Sequence, residues 1–245
     1  MELYLLLVIG ALAAGFVNGL AGFGSALFAL GFFLAVMPPL QAVAVIVALS
    51  IFAGILGMFT VYQHILPNKK AIIRLTIPGL LGVPMGIWAL VYLSADHLRI
   101  LVAALLLVYG GYFSTRAELP RLKGRFVVID ALVGFIGGFL GGLAALSGAL
   151  PTMWYAARDR EKQDTRTILQ CYNLTLLTLA GILLAIKGAY TAETLYLSAI
   201  AVAVALVAAK IGLWVFKRLS SAQFQRLLIT MCLISGVIMF YRIIA

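Results

Sequence analysis

The chain has 245 residues, 64% of them hydrophobic and only 11% charged, which leaves too little polar surface to cover a domain dissolved in water. A formal net charge of +10 would point to nucleic acid in a soluble protein. Here the basic residues lie between apolar runs, where they report topology, so the lipid bilayer and not nucleic acid is the expected partner.

The first apolar segment, 3–37, is too long for one membrane crossing and too short for two, and GLAGFG interrupts it at 19–24. If both arms are helical, 3–19 extends about 26 Å and 24–37 about 21 Å, so neither comfortably crosses ~30 Å of hydrocarbon. Met1–Glu2 supplies no basic n-region, and the segment is read as structure, not as a signal peptide. Runs at about 40–62, 71–93 and 98–114 each suffice for one crossing. Pro78 and Pro84 predict a hinge or a kink in the middle one. Segment 126–157 is again broken, by GGLAALSGALP at 141–151, and runs at about 167–187, 192–216 and 222–241 follow. The expectation is an all-α polytopic membrane protein, a single transmembrane domain over 1–245, with six full crossings and two re-entrant or broken helical hairpins.

The positive-inside rule separates the topologies. If both broken segments return to the side they came from, fourteen of the 18 Lys and Arg residues share one face, Lys69 through Arg226, leaving Arg99, Lys187 and Arg242 opposite and Lys210 inside a span. Both termini then lie outside. The chain also repeats itself: GIWALVYLSADHLRIL at 86–101 aligns without a gap with GLWVFKRLSSAQFQRL at 212–227, and GFVNG at 15–19 matches GFIGG at 134–138. Internal repeats of about 3–114 and 126–243 are expected, in opposite orientation. Inverted repeats with broken helices point to a secondary transporter with a midplane site.

Unpaired backbone groups in hydrocarbon cost several kcal/mol unless protein or a wet cavity covers them. The second arm of each hairpin begins near Gly24–Ser25 and near Ser147–Gly148, and presents free N–H groups and a positive dipole end, which suits a small anion. Candidate substrate-binding residues are Asn18, Gly22, Gly24, Ser25, Ser147, Gly148 and Thr152 near the tips, with Gln170 and Asn173 three apart on the next span. Lys210 and Asp130 are candidates for gating or coupling. Plainer readings stand beside these. Gly15/Gly19, Gly134/Gly138 and Gly82/Gly86 have small-xxx-small spacing that only lets helices approach, and the serines can bond their own helices. Lys210, seven residues before Lys217, can snorkel. Cys171 and Cys232 lack metal or disulfide spacing, so no metal and no cofactor is expected.

GFVNGLAGFGSALFAL at 15–30 and GFIGGFLGGLAALSGALPTMW at 134–154 together resemble the paired signature of the TauE/SafE family of sulfite exporters and related permeases. The resemblance extends to IPGLLGVPMG at 77–86 and to the Gln170–Asn173 segment. It implies a multi-pass inner-membrane permease for small sulfur-containing or organic anions such as sulfite and sulfonates, driven by membrane potential or a proton gradient. Ser25 after Gly24, Gly31 in place of a frequent proline and fewer glycines in the second motif depart from the pattern and bear on which anion is carried. Rival readings are a passive anion channel through the same cavity, and an intramembrane hydrolase with Ser147 as nucleophile, for which His64 and His97 at span ends offer no base. Pairing of two copies as a homodimer is left open.

Overall fold

The computed structural model describes residues 1–114, 126–158 and 160–220, with Leu122, Gly124 and Gln223. Helix α1 (Glu2–Ala21) is followed by a short α2 (Ser25–Phe33), α3 (Pro39–Met58), α4 (Ile65–Tyr92) and α5 (Ala95–Ser114). The second half has α6 (Val127–Ala144), a short α7 (Ala149–Ala156), α8 (Lys162–Ile186) and α9 (Ala192–Arg218). Among the described residues, α1, α3, α4, α6, α8 and α9 are long and apolar enough to cross a membrane. Leu81, Met85, Trp88, Ile136 and Val207 are exposed on their outer faces, as lipid contact requires. The run at 222–241 lies outside the described residues.

The two breaks fall where glycines and small residues predicted them, but the arms are unequal. Helix α1 continues through Gly19 to Ala21, so its 20 residues extend about 30 Å. It stops where Gly22 turns left-handed at φ 79° and donates its N–H to the Asn18 carbonyl at 2.6 Å. Gly24, at φ 91°, starts α2, which lasts only 9 residues. Helix α6 ends likewise at Ala145, φ 56°, with the Leu146 N–H reaching the Leu140 carbonyl at 3.1 Å. The expected arms of 3–19 and 24–37 therefore become one nearly full-length helix and one half-length return. The physical reason is that Gly19 is packed inside the helix and the left-handed turn comes at Gly22. Helix α4 runs unbroken through Pro78 and Pro84.

Packing registers fix the chain directions. A Cβ on Gly134, Gly138 or Gly142 of α6 would collide with the carbonyl of Leu75, Gly79 or Val83 of α4 respectively, so these helices advance in parallel. Gly15 and Gly19 of α1 lie equally close to the carbonyls of Ala205 and Ala209, making α1 and α9 parallel. Helix α3 runs against α8, because Gly57 faces Gln170 whereas Val47 and Ile51 face Gly181. Helix α9 begins beside α3, where the Tyr190 hydroxyl donates to the Ala44 carbonyl at 3.2 Å, and ends with Phe216 4.0 Å from the Arg166 guanidinium near the start of α8. Helices α8 and α9 are thus antiparallel. Since α4 runs with α8, from the Asn68–Asp164 bond to the Gly79–Tyr172 contact, α1 and α6 point in opposite directions. The two hairpins come in from opposite faces.

The two parallel crossings share one plan. Gly15 and Gly134, like Gly19 and Gly138, are 119 residues apart, and their partners Leu75 and Ala205, like Gly79 and Ala209, are 130 apart. The ungapped alignment of 86–101 with 212–227 sets that second spacing at 126, one helical turn short of the packed register. A slide of one turn presents nearly the same helix face, which is why the sequence match is insensitive to it. Lys69, Lys70, Arg74, Arg158, Arg160, Lys162, Lys217 and Arg218 all sit at the end where α4, α6 and α8 begin, and Lys187 lies at the other end. Arg116, Arg121, Lys123, Arg125, Arg226 and Arg242 lie outside the described residues.

In lipid, helices gain no hydrophobic attraction from one another, so close backbone approach carries the association. Gly138→Leu would force α4 and α6 apart at a cost of about 1–3 kcal/mol or more, lowering the melting temperature of the purified protein by roughly 5 °C. Gly111→Leu, with no neighbouring atom within 4 Å of its Cβ position, serves as the comparison. Equal melting curves for the two variants would remove the crossing from its structural role.

Candidate functional site

Helix α8 passes both hairpin tips and carries a buried polar stripe: Arg166, Thr167, Gln170 and Asn173. Its positions i, i+4 and i+7 put Arg166, Gln170 and Asn173 on one face, at depths of about 6, 12 and 17 Å from Lys162. Each engages a different break or neighbour.

At the first tip, Asn18 Nδ2 donates to Ser25 Oγ at 2.8 Å, tying the last turn of α1 to the first of α2. Ser25 accepts this bond and keeps its own proton to donate. Asn18 Oδ1 has no partner. Gln170 Nε2 donates to the Gly54 carbonyl at 2.9 Å, and its unpartnered Oε1 occupies the space a Cβ on Gly22 or Gly57 would need. Arg166 Nη2 donates to the Gly19 carbonyl at 2.9 Å and Nη1 to the Leu20 carbonyl at 3.3 Å, closing the carbonyl end of α1. At the second tip the Ser147 hydroxyl donates to Asn173 Oδ1. Tyr172, beside it on α8, donates its hydroxyl to the Gly134 carbonyl at 2.7 Å and anchors α6.

The tips touch. A Cβ on Gly148 would lie 2.6 Å from the Cβ of Phe23, so the aromatic residue of GLAGFG sits directly against the second break. Asn18, Gly22, Ser25, Ser147, Gly148, Gln170 and Asn173 are all buried in this arrangement, and Gly24 is half-buried. Thr152 is buried too, but its hydroxyl donates to the Gly148 carbonyl of its own helix at 2.6 Å. Lys210 is exposed on α9. Asp130 is buried at the basic end of α6, accepting the Trp154 indole N–H at 2.7 Å, and is not brought to the tips.

Arg166 is the residue that the sequence pattern places wrongly, among the loop cations. Only 4% of it is exposed. Among the described residues no carboxylate lies within ion-pair distance of it; Asp164, on the same helix, contacts His64 instead at 3.5 Å. Three neutral partners hold its charge. Two are carbonyls at the negative end of the α1 dipole, worth up to ~2 kcal/mol in a partly buried geometry. The third is the Phe216 ring at 4.0 Å, worth about 2 kcal/mol when desolvated. Its Nε has no partner. A guanidinium buried without a counter-ion, with its Nε–H unpartnered, has unused capacity for an anion. The spacing to Gln170 and Asn173 was the signal available in the sequence.

Hydrolytic chemistry finds no support at Ser147, whose hydroxyl is held by an amide and not by a base. His64 contacts Asp164 and His97 contacts Ser94 Oγ at 2.7 Å, both at helix ends.

A family model described as sulfite exporter TauE/SafE matches residues 6–239. No curated protein and no solved structure matches the chain.

Arg166→Leu leaves the Gly19 and Leu20 carbonyls buried and unpaired, at about 1–3 kcal/mol each. The variant is expected to melt several degrees below the wild type, whereas Lys210→Leu, at an exposed position, stays close to it. A calorimetric or fluorescence melt of both in the same detergent decides the matter, and parity between them would show that Arg166 does not close the end of α1.

Proposed function

Because the chain belongs to the sulfite exporter TauE/SafE family, we propose that it is a secondary transporter moving a small sulfur oxyanion or sulfonate across the inner membrane, by alternating access around the two touching hairpin tips. The observation that carries this reading is the buried, carboxylate-free guanidinium of Arg166 beside Gly22 and Gln170. An oxyanion has only acceptors to offer, and every donor it needs is at hand. Arg166 supplies charge-assisted bonds through its Nε. Either Ser25 donates its hydroxyl proton to the anion, or Asn18 turns its N–H groups inward and takes that proton on its own oxygen; the Gln170 amide can turn inward by giving up the Gly54 carbonyl. Gly22 and Gly24 bring the backbone close, and Ser147, Gly148 and Asn173 form the facing wall.

Alternating access follows from the opposed hairpins. With internal repeats over about 3–114 and 126–243 in opposite orientation, opening the first tip exposes the site to one face and opening the second exposes it to the other. Phe23 against Gly148 is the closed gate. When the tips part, Arg166 exchanges the carbonyls of Gly19 and Leu20 for the anion. The basic end of the bundle is assigned to the cytoplasm and both termini to the outside, following the positive-inside rule. Asp130, at that end, is the assigned proton-coupling group.

The charge argument can be tested without emptying the site. Gln170→Glu is nearly isosteric and gives Arg166 a counter-ion, so the protein should be at least as stable as wild type while its transport falls about 100-fold or more, a loss of ~2.7 kcal/mol in binding or turnover. The readout is accumulation of sulfite, thiosulfate or a simple alkyl sulfonate in proteoliposomes at two pH values. Movement that never exceeds the imposed gradient identifies a channel. A Gln170→Glu protein transporting at the wild-type rate, or no response to any of the anions, overturns the reading.

A further inference from the structure

A polar concavity lies away from the tips, at the end where α4 and α6 begin. It is a cleft of roughly 200 Å³ whose walls include Asn68, Lys70, Arg74, Asp130, Arg158 and Arg160. Four cationic side chains thus surround one carboxylate, and that carboxylate already accepts the Trp154 indole N–H at 2.7 Å. Among the described residues none of the four cations has a carboxylate within ion-pair distance.

Two of the guanidinium groups are held in place by neutral neighbours. Arg158 lies 4.8 Å from the Phe126 ring centroid and 5.3 Å from that of Trp154, and its Nη2 donates to the Gly124 carbonyl at 2.5 Å. Its Nη1 has no partner. Arg160 lies 5.8 Å from the Tyr155 ring and donates from Nη1 to Asn68 Oδ1 at 3.1 Å. Asn68 in turn donates to Asp164 at 2.8 Å, which fixes its oxygen toward Arg160. Such stacked, pre-oriented forks suit the paired oxygens of a phosphate group. Trp154 and Tyr155 beside them set the level of the cleft, because Trp and Tyr at the ends of spans sit at the level of the lipid headgroups.

We propose that this cleft binds a phosphate-class oxyanion, supplied in the bilayer by the headgroup of an anionic lipid. Its volume exceeds what a bare four-oxygen ion requires and accommodates a glycerophosphate, and basic pockets between spans on the positive face are the sites where such headgroups dock. Occupancy neutralises the cluster of Lys70, Arg74, Arg158 and Arg160 and pins α4, α6 and the α7–α8 connection together at that end. The site shares Asp130 with the proposed coupling machinery, but its ligand does not depend on which anion the hairpin tips carry.

The test uses the purified full-length chain in neutral detergent, with native mass spectrometry and thermal unfolding as readouts. Phosphatidylglycerol, phosphatidylcholine, and inorganic phosphate or sulfite are compared. Phosphatidylglycerol is expected to remain bound and to raise the melting temperature, with phosphatidylcholine doing neither. Each cation removed should weaken binding roughly fivefold, so Arg74→Gln with Arg158→Gln should lose more than about tenfold. The melting temperature of that double variant in phosphatidylcholine reports whether it folds, and if it does not, competition of inorganic phosphate against phosphatidylglycerol on the wild type takes its place. Displacement or variant-sensitive binding by the free ion supports the oxyanion site and names a soluble source. Equal retention of both lipids together with no effect of inorganic phosphate or sulfite overturns the proposal, as does undiminished binding by a folded double variant.

Discussion

A helix can stop inside hydrocarbon only if something else takes up the carbonyls and N–H groups it abandons, and here that task falls to one face of α8. Arg166 takes the last carbonyls of α1, Gln170 lies against the turn at Gly22, and Asn173 accepts from Ser147 at the other break. The rest of the site is arranged around keeping that face close. Gly22 and Gly57 lie where a side chain would displace the Gln170 amide, and Gly54 gives it a carbonyl to hold. Because both breaks depend on the same helix, neither tip can shift without disturbing the hydrogen bonds of α8. In the proposed function that is a physical basis for coupling the two tips as gates, and it requires no long-range pathway.

The second constraint is that this face must be met from both sides. Two crossings, α1 with α9 and α4 with α6, bring backbones into contact through small residues spaced four apart. Each crossing binds the long arm of one hairpin to a helix from the other half of the chain. The hairpins are therefore interlocked, and their opposed directions are a consequence of two parallel pairs of helices, one pair running opposite to the other. Small residues serve two different purposes in the same segments. Gly15, Gly19, Gly134 and Gly138 are packing surfaces, whereas Gly22 and Gly24 adopt left-handed backbone that a side chain would strain.

That division explains what was legible in the sequence. Composition and run length give the membrane and the helices, since lipid demands long apolar segments with satisfied backbones. The breaks are visible because each glycine-rich interruption falls inside an apolar run too long for one crossing, at an equivalent place in each half of the chain. Their limits are not visible: a glycine that packs and a glycine that turns look alike in sequence, so the end of α1 is read at Gly19 when the chain continues to Ala21. Gln170 and Asn173 stand out because amides are costly in lipid. Arg166 does not, because a cation four residues inside a helix end looks like one that reaches water, and only tertiary packing shows that its side chain turns inward to α1. The four-residue difference between the aligned and packed registers has a similar origin, since periodic helix faces tolerate a one-turn slide.

The arrangement also bears on selectivity. In the proposed function the sign of the cargo is set by a single buried cation whose present partners are neutral, so an incoming anion is favoured by the full charge of Arg166 and an incoming cation is repelled by it. Sign alone does not choose among oxyanions. That choice falls to shape, through the contact of Phe23 with Gly148, and to the orientation of the amides of Asn18 and Gln170, each of which leaves its oxygen unpaired in the closed state. Turning either amide trades an acceptor for a donor without moving the backbone, at the cost of its present bond to Ser25 or to the Gly54 carbonyl. Anions that differ in the number and placement of oxygens would thus be distinguished by how many of these groups can turn at once. This ties specificity to the first tip, where the turning groups are, and leaves the second tip, with its single Ser147–Asn173 bond, chiefly as a gate.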